Sequence, residues 1–409
     1  MNILLCCEHF HPSVGGVQKV MLEIGLRFKN KEHNVTVVTS WRADRNEDDI
    51  SGINIKSFEI TGNDATTMKG DISDYQAFLI ESKFDFLLVM AAQQWTLDAM
   101  LPILDKIPYI KMHIPCGYSS FYKKKYKKYY RNMHVYLNKF DQLIYNSSDY
   151  RDINYAKNNG LNNINIIPAG ASEFEFMNPP EKLDREELDI DKNNFIFLTV
   201  GTPAFNKGHS DIIRSYLLSG LPFKSTLILN GNYDEIQELR FKSFISKPIQ
   251  VLREIAMRLQ GRSPYNIMKL AKNNNDSSKN IIFTNLERPK LIQLFFEADL
   301  FLFASHVEYS PLVIFECLAS GLPFISTAVG NVDEIVQWSN GGVICNSIKT
   351  KNGNSHVDPK ILSSEITALS TNREQMHQLS INGRLSWKER FTYEVIANQI
   401  EVLAATDQQ

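Results

Sequence analysis

The chain has 409 residues, 43% hydrophobic, 11% aromatic and 22% charged, and its 44 basic and 46 acidic side chains leave a net charge of −2. This excludes a disordered chain and argues against a protein built to coat nucleic acid, while the length fits two or three domains of roughly 100–200 residues. No run reaches the ~20 apolar residues of a membrane-spanning helix, and five scattered cysteines (Cys6, Cys7, Cys116, Cys317, Cys345) form no CxxC pair, which points away from a disulfide framework or a zinc site and toward a cytoplasmic protein.

The N-terminal MNILLCCEHFHPS has a short apolar run followed at once by charge, unlike a signal peptide, and reads as a buried strand over Ile3–Cys7. Further strands are expected at Val35–Thr39, Ile53–Phe58, Phe86–Met90, Tyr109–His113, Gln142–Tyr145 and Ile164–Ile167. Helical spacing lies between most of them, as in Val17, Val20, Met21, Ile24 and Phe28. Such alternation predicts a parallel sheet with helices on both faces. After the first strand comes His9-Phe10-His11-Pro12-Ser13-Val14-Gly15-Gly16-Val17. Paired glycines admit a ligand close to the backbone, and the helix start behind them favours an anion; a tight turn with no ligand is the competing reading.

Residues Phe121 to Phe140 form the densest local pattern. Tyr122, Tyr126, Tyr129, Tyr130, Met133, Leu137 and Phe140 share a helical stripe, and Lys123, Lys124, Lys125, Lys127, Lys128 and Arg131 crowd its first turns. Cations beside aromatics suit a helix lying on an anionic membrane or meeting an anionic acceptor. A core-packed helix with a solvated basic face is the alternative.

Pro168, Pro179 and Pro180 mark a linker over 168–194, and a second alternating series follows, with strands expected at Phe195–Val200, Thr226–Asn230, Ile281–Thr284, Leu300–Phe303, Phe324–Ser326 and Val343–Cys345. The polar stretch from about 234 to 278, ending in Asn273–Ser278, reads as an enlarged helical connection with a mobile tip, and the last 35 or so residues read as helices with no strand after them. Two loops of the second series carry chemistry. In Gly201-Thr202-Pro203-Ala204-Phe205-Asn206-Lys207-Gly208-His209, Lys207 stands just before a helix start, where a cation meets a phosphate, although the loop is not a Walker loop and a solvated lysine is the alternative. In Glu308-Tyr309-Ser310-Pro311-Leu312-Val313-Ile314-Phe315-Glu316, Ser310 is expected to cap a helix whose first residue is Pro311, leaving the amides of Leu312 and Val313 to face a diphosphate. Glu316 lies in an apolar helix and must be paired or hydrogen-bonded, by sugar hydroxyls or by a structural salt bridge.

These loops, in this order, resemble those of the retaining glycosyltransferases of family 4, which have the GT-B fold. The third loop resembles that family's E-x7-E motif, with Glu308 and Glu316 as its acids. Its flanks, Glu297-Ala298-Asp299-Leu300-Phe301, Ala319-Ser320-Gly321-Leu322-Pro323 and Gly330-Asn331-Val332-Asp333-Glu334, fit as well. The resemblance runs over nearly the whole chain. It implies an α/β protein of two facing Rossmann-like domains with parallel sheets: residues 1–180 plus about 390–409 for the acceptor, and 181–389 for a nucleotide-sugar donor. The C-terminal helix would cross back to the N-terminal domain.

By the same resemblance, Lys207 neutralises the donor diphosphate, the amides of Leu312 and Val313 add donors, and Glu316 holds the ribose. Glu308 contacts the transferred sugar, Gly15 and Gly16 close over the diphosphate, and His113 lies near the reacting centre. No metal or other cofactor is implied, and Asp189-Ile190-Asp191 in the linker reads as a solvated turn. The acceptor would be a saccharide, lipid-linked or part of a lipopolysaccharide or capsule, with the enzyme on the inner face of a membrane. An enzyme acting on a soluble acceptor and a catalytically silent GT-B scaffold are the alternatives. Three departures stand out: Thr202 where the family has arginine, for which Lys224 or Arg288 is a conceivable substitute, Pro311 in place of glycine, and Asn285-Leu286 in place of a glycine.

Overall fold

The computed structural model describes residues 1–233, 264–272, 274, 276–350 and 353–406. They form two compact units, Met1–Gly170 with Arg390–Gln409, and Ala171–Glu389. The first division falls at Gly170 and not near residue 180, because the chain from Ala171 onward already packs with the second unit. Trp387 Nε1 donates to Ala171 O at 3.0 Å there. The connection expected over 234–278 lies largely outside the described residues, which resume with the helix Pro264–Lys272.

The first unit is built on β1 (Asn2–Cys6), β2 (Asn34–Ser40), β3 (Asp49–Ile50), β4 (Ile53–Phe58), β5 (Phe86–Met90), β6 (Ile110–Ile114), β7 (Gln142–Tyr145) and β8 (Ile164–Ile166). Their order is β8-β7-β6-β5-β1-β2-β4-β3. Every pair is parallel except β3 with β4. The second unit carries β9 (Phe195–Val200), β10 (Ser225–Asn230), β11 (Lys279–Thr284), β12 (Leu300–Phe303), β13 (Phe324–Thr327) and β14 (Gly342–Cys345) in the order β11-β10-β9-β12-β13-β14, parallel throughout. All residues of β5, β10 and β12 are buried. That is the continuous apolar signature of a parallel sheet covered on both faces. Both units are Rossmann-like.

Six helices matter below: α1 (Gly16–Asn30), α2 (Lys127–Leu137), α3 (His209–Leu218), α4 (Arg288–Glu297), α5 (Leu312–Ser320) and α6 (Tyr393–Thr406). The last of them packs on α1 within the first unit. Arg27 is fully buried there, 2.5 Å from Glu23 and with its guanidinium 5.8 Å from the Tyr393 ring centroid. Glu401 accepts from Lys31 Nζ at 2.7 Å and lies 3.0 Å from His33 Nε2.

The structure corrects the reading of the basic aromatic segment. A short 3-10 turn at Lys124–Tyr126 leads into α2, and Tyr126, Tyr129, Tyr130, Met133, Leu137 and Phe140 all face the core of the first unit. Tyr129 OH donates to the buried Asp98 at 2.7 Å. These rings are committed to tertiary packing and do not form an insertion face; only Tyr122 of the stripe is exposed. Lys123, Lys124, Lys125, Lys127, Lys128 and Arg131 are all exposed. Among the described residues no helix is long and apolar enough to cross a membrane.

Candidate active site

In the second sheet the strand after β9 in sequence lies on one side of it and β12 on the other, so the order turns back between β9 and β12. The C-terminal ends of strands flanking such a reversal are where open α/β sheets bind ligands. The loops leaving β9 and β12 are the two that the sequence singled out, and adjacency of their strands brings them together. Gly208, at φ 68°, lies against the β12 loop so closely that a Cβ on it would sit 1.9 Å from Ala304 O. His306 N donates to Asn206 O at 2.7 Å, and Ser305 Oγ lies 3.0 Å from the same carbonyl.

On this frame Lys207 Nζ meets Glu308 Oε1 at 2.6 Å, and Ser305 Oγ donates to the same oxygen at 2.7 Å. Both partners are partly accessible, with side-chain exposures of 28% and 14%. The ammonium and the first acid of the E-x7-E motif therefore form one unit that a ligand can reach. Thr202 is exposed on the rim of the β9 loop.

The start of α5 differs from expectation. Pro311, at φ −73° and ψ 113°, is still extended and takes the N-cap position, so the helix begins at Leu312. Ser310 does not cap it; its Oγ is buried and has no hydrogen-bond partner among the described residues. The cap fails because proline at the next position fixes φ but leaves ψ extended, which moves the helix start one residue beyond the hydroxyl's reach. The amides of Leu312 and Val313 remain at the helix start, ahead of the Ile314 N to Pro311 O bond of 3.1 Å.

Glu316, one turn into α5, is held by a cation. Arg288 Nη2 donates to Glu316 Oε1 at 2.6 Å, while Arg288 Nε and Nη2 reach the two oxygens of Glu175 at 3.0 and 2.7 Å. Burial works against the charge on Arg288, but Glu316 and Glu175 outweigh it and hold the guanidinium pKa above its ordinary value. The structural salt bridge considered for Glu316 thus exists, and Arg288 is the group that makes it. Lys224 is set aside as a substitute cation: it directly precedes β10, at the opposite end of the sheet.

In the first unit, α1 begins at Gly16, with Gly15 as its N-cap and no acidic residue in the first turn. The amide end that an anion would meet is open, and Gly16 is exposed. His113 is the strand-end histidine that the resemblance places near the reacting centre. It sits near the end of β6 with no exposed surface, Nδ1 3.0 Å from Val89 O and its ring centroid 5.3 Å from that of Phe140. Burial pushes its pKa down to about 4, so the imidazole is neutral at neutral pH. Asp189-Ile190-Asp191 forms a turn in which Asp191 Oδ1 accepts from Asn193 N at 2.9 Å. Among the described residues no cluster of His, Cys, Asp and Glu is arranged to hold a metal.

Two polar pairs beside the site were not foreseen. His209 Nδ1 lies 2.7 Å from Tyr233 OH, and His306 Nε2 lies 2.8 Å from Asp211 Oδ2. The only available signal was that His209 directly follows Lys207-Gly208 and that His306 stands two residues before Glu308.

Two Rossmann-like units, with a lysine–glutamate pair and an open helix start at the switch point of the second, define the class of GT-B glycosyltransferases. The family model of the glycosyl transferases group 1 matches residues 180–386, and the chain belongs to that family: it is a glycosyltransferase of the family 4 type, working with nucleotide-sugar donors. It is 22% identical over 400 residues to the N-acetyl-alpha-D-glucosaminyl L-malate synthase of Bacillus anthracis, an alignment covering 96% of this chain and 94% of that protein. Among solved structures, sucrose-phosphate synthase from Thermosynechococcus elongatus superimposes with a TM-score of 0.71 at 16% identity, covering 99% of this chain and 98% of the other. Anabaena Alr3699/HepE in complex with UDP gives 0.66 at 14% identity, covering 99% and 100%.

Proposed function

We propose that the chain moves a sugar, with retention of configuration, from a nucleotide-sugar held by the second unit to a saccharide acceptor that is lipid-linked and presented at an anionic membrane surface. The observation that carries the donor half is the Lys207–Glu308 pair beside the open start of α5. A nucleoside diphosphate gains negative charge as the glycosidic bond breaks. A cation and helix-start amides placed on it stabilise the transition state more than the ground state. In this reading the diphosphate takes over Lys207 from Glu308, which frees the Glu308 carboxylate for hydroxyls of the transferred sugar. Leu312 and Val313 supply the amides, and Glu316 takes the ribose hydroxyls.

The six exposed cations from Lys123 to Arg131 support the acceptor half. With the aromatic rings turned inward, docking would rest on charge, at ~1 kcal/mol for each cation near an anionic surface. It would therefore weaken steeply with salt. The buried aromatic face equally favours the second reading, a soluble acceptor, as in the names of the malate and sucrose-phosphate enzymes.

Thermal-shift assays with UDP-, GDP- and ADP-sugars test the donor half; no stabilisation by any of them would refute it. Sedimentation with liposomes decides the acceptor half. Binding to phosphatidylglycerol vesicles that is lost on phosphatidylcholine, and lost when the five lysines become glutamine, is the expected outcome. Equal behaviour toward both vesicles selects the soluble acceptor.

A further inference from the structure

We propose that His209, oriented by Tyr233, is the second side chain that holds the donor's diphosphate, taking the part left open by Thr202. The inference rests on the donor reading above and adds to it a residue that the family motif does not mark.

The argument starts from position. His209 is the first residue of α3, two residues after Lys207, at the mouth of the β9 loop. It is only 2% exposed, so its imidazole is fixed and not a waving surface group. Its Nδ1 is engaged with Tyr233 OH at 2.7 Å, and the two rings lie 6.0 Å apart. Among the described residues Nε2 makes no hydrogen bond, and it faces the Gly201 loop. A Cβ built on Gly201 would lie 3.8 Å from His209 Nε2 and 3.9 Å from Lys207 Cδ. The hollow above Gly201 is therefore bounded by an imidazole nitrogen on one side and by the Lys207 stem on the other. A side chain at 201 would fill it; glycine leaves it to a ligand.

Chemistry then selects the ligand. Burial, with Lys207 adding to it, pushes the His209 pKa down to about 4, so the ring is neutral and carries a single N–H. If Tyr233 OH donates to Nδ1, that proton must sit on Nε2 and face the hollow. Phosphoryl oxygens only accept, and they favour this tautomer over the reverse one. Asp211, the acid in the first turn of α3, is occupied by His306 at 2.8 Å. The hollow is thus bordered by a lysine and a neutral N–H donor. Thr202, on the exposed rim, brings no charge.

Isothermal titration of the full chain with UDP, GDP and ADP, and with uridine, guanosine and adenosine, tests the inference. For whichever diphosphate binds, His209→Ala should weaken it by roughly 10- to 100-fold, the range of one hydrogen bond to a charged group, with the bare nucleoside unaffected. His209→Gln should recover part of the loss, because its amide N–H falls near the position of Nε2. Tyr233→Phe should lie between wild type and His209→Ala, because it releases the tautomer but keeps the ring. Should His209→Ala fail to fold, as judged by circular dichroism, the glutamine and phenylalanine variants carry the same comparison. Diphosphate affinity within about twofold of wild type in His209→Ala, or loss of nucleoside and diphosphate in parallel, overturns the assignment. Lys207→Ala separates the two readings. Diphosphate binding that depends on Lys207 but not on His209 refutes this inference alone, whereas a wild-type chain that binds no nucleoside diphosphate refutes the donor reading and this inference with it.

Discussion

Arg288 is the cation that the site is built around without the motif naming it, and its worth can be measured directly. Its guanidinium lies 2.6 Å from Glu316 and 2.7 Å from Glu175, with side-chain exposures of 34%, 14% and 20% for the three groups. At an effective dielectric constant of about 20, each contact at that separation is worth roughly 6 kcal/mol before desolvation. Desolvation of partly buried ions removes most of this, and the exposure of Arg288 screens it further, leaving ~1–2 kcal/mol net for each partner. Replacing Arg288 by methionine keeps the stem and removes the charge. Two carboxylates then lose the cation that bridges them, and the second unit should lose about 2–4 kcal/mol. Double-mutant cycles of Arg288→Met with Glu175→Gln and with Glu316→Gln isolate each coupling. Urea unfolding, read through amide exchange in α4 and α5, supplies the free energies without assuming that both units melt together. Couplings below ~0.3 kcal/mol for both pairs would show that the triad is only a surface arrangement and would undo the account of Glu316 as a held carboxylate.

Three further outcomes follow from the same geometry. Lys207→Ala should lower turnover by at least about 100-fold in a sugar-transfer or donor-hydrolysis assay, because it removes charge where the leaving group develops it; a rate within about twofold of wild type would refute the diphosphate contact. Glu316→Ala should weaken donor binding by about 1.5–3 kcal/mol in titration calorimetry, and unchanged affinity would leave Glu316 with Arg288 as a purely structural pair. His113 supplies a pH dependence. Its pKa is about 4 in the folded chain against 6.5 ordinarily, so the unfolded state binds the proton first on acidification. Its stabilising contribution is complete above pH 6.5 and is lost as pH falls toward 4, amounting to about 3 kcal/mol for so buried a group. Melting curves of His113→Phe should fall less steeply than wild type across that window, and parallel curves would exclude His113 as the titrating group.

The strands were legible because parallel strands buried on both faces read as unbroken apolar runs. Ile53–Phe58, Phe86–Met90, Gln142–Tyr145, Phe195–Val200 and Leu300–Phe303 fall where the runs do, and the others shift by a residue or two at their ends. The Glu308 and Lys207 loops were legible because each follows such a strand. What the sequence could not convey is which surface covers a given face. The stripe from Tyr126 to Phe140 has the same spacing whether rings meet lipid or a neighbouring sheet, and only the tertiary structure turns it inward. Likewise a strand-end histidine reads alike exposed or enclosed, and His113 proves enclosed. The Arg288–Glu175 pair joins residues 113 positions apart and leaves no local trace. Cap propensity does not convey the extended ψ of Pro311, which keeps Ser310 from capping the helix.

The last helix, α6, has a consequence for how the chain is made. Its residues belong to the first unit, yet all of Ala171–Glu389 is synthesised before them. At translation rates of ~5–20 residues per second, the first unit waits roughly 10–40 s for its final helix. Throughout that interval the face of α1 that meets α6, with the charged Arg27 and Glu23, lacks its cover. The second unit is complete on the ribosome first, although its sequence begins later. A holdase arriving early at the nascent chain would therefore find its binding surface on the N-terminal half, and truncating the chain before Arg390 should leave that half permanently in the state a chaperone sees only in passing.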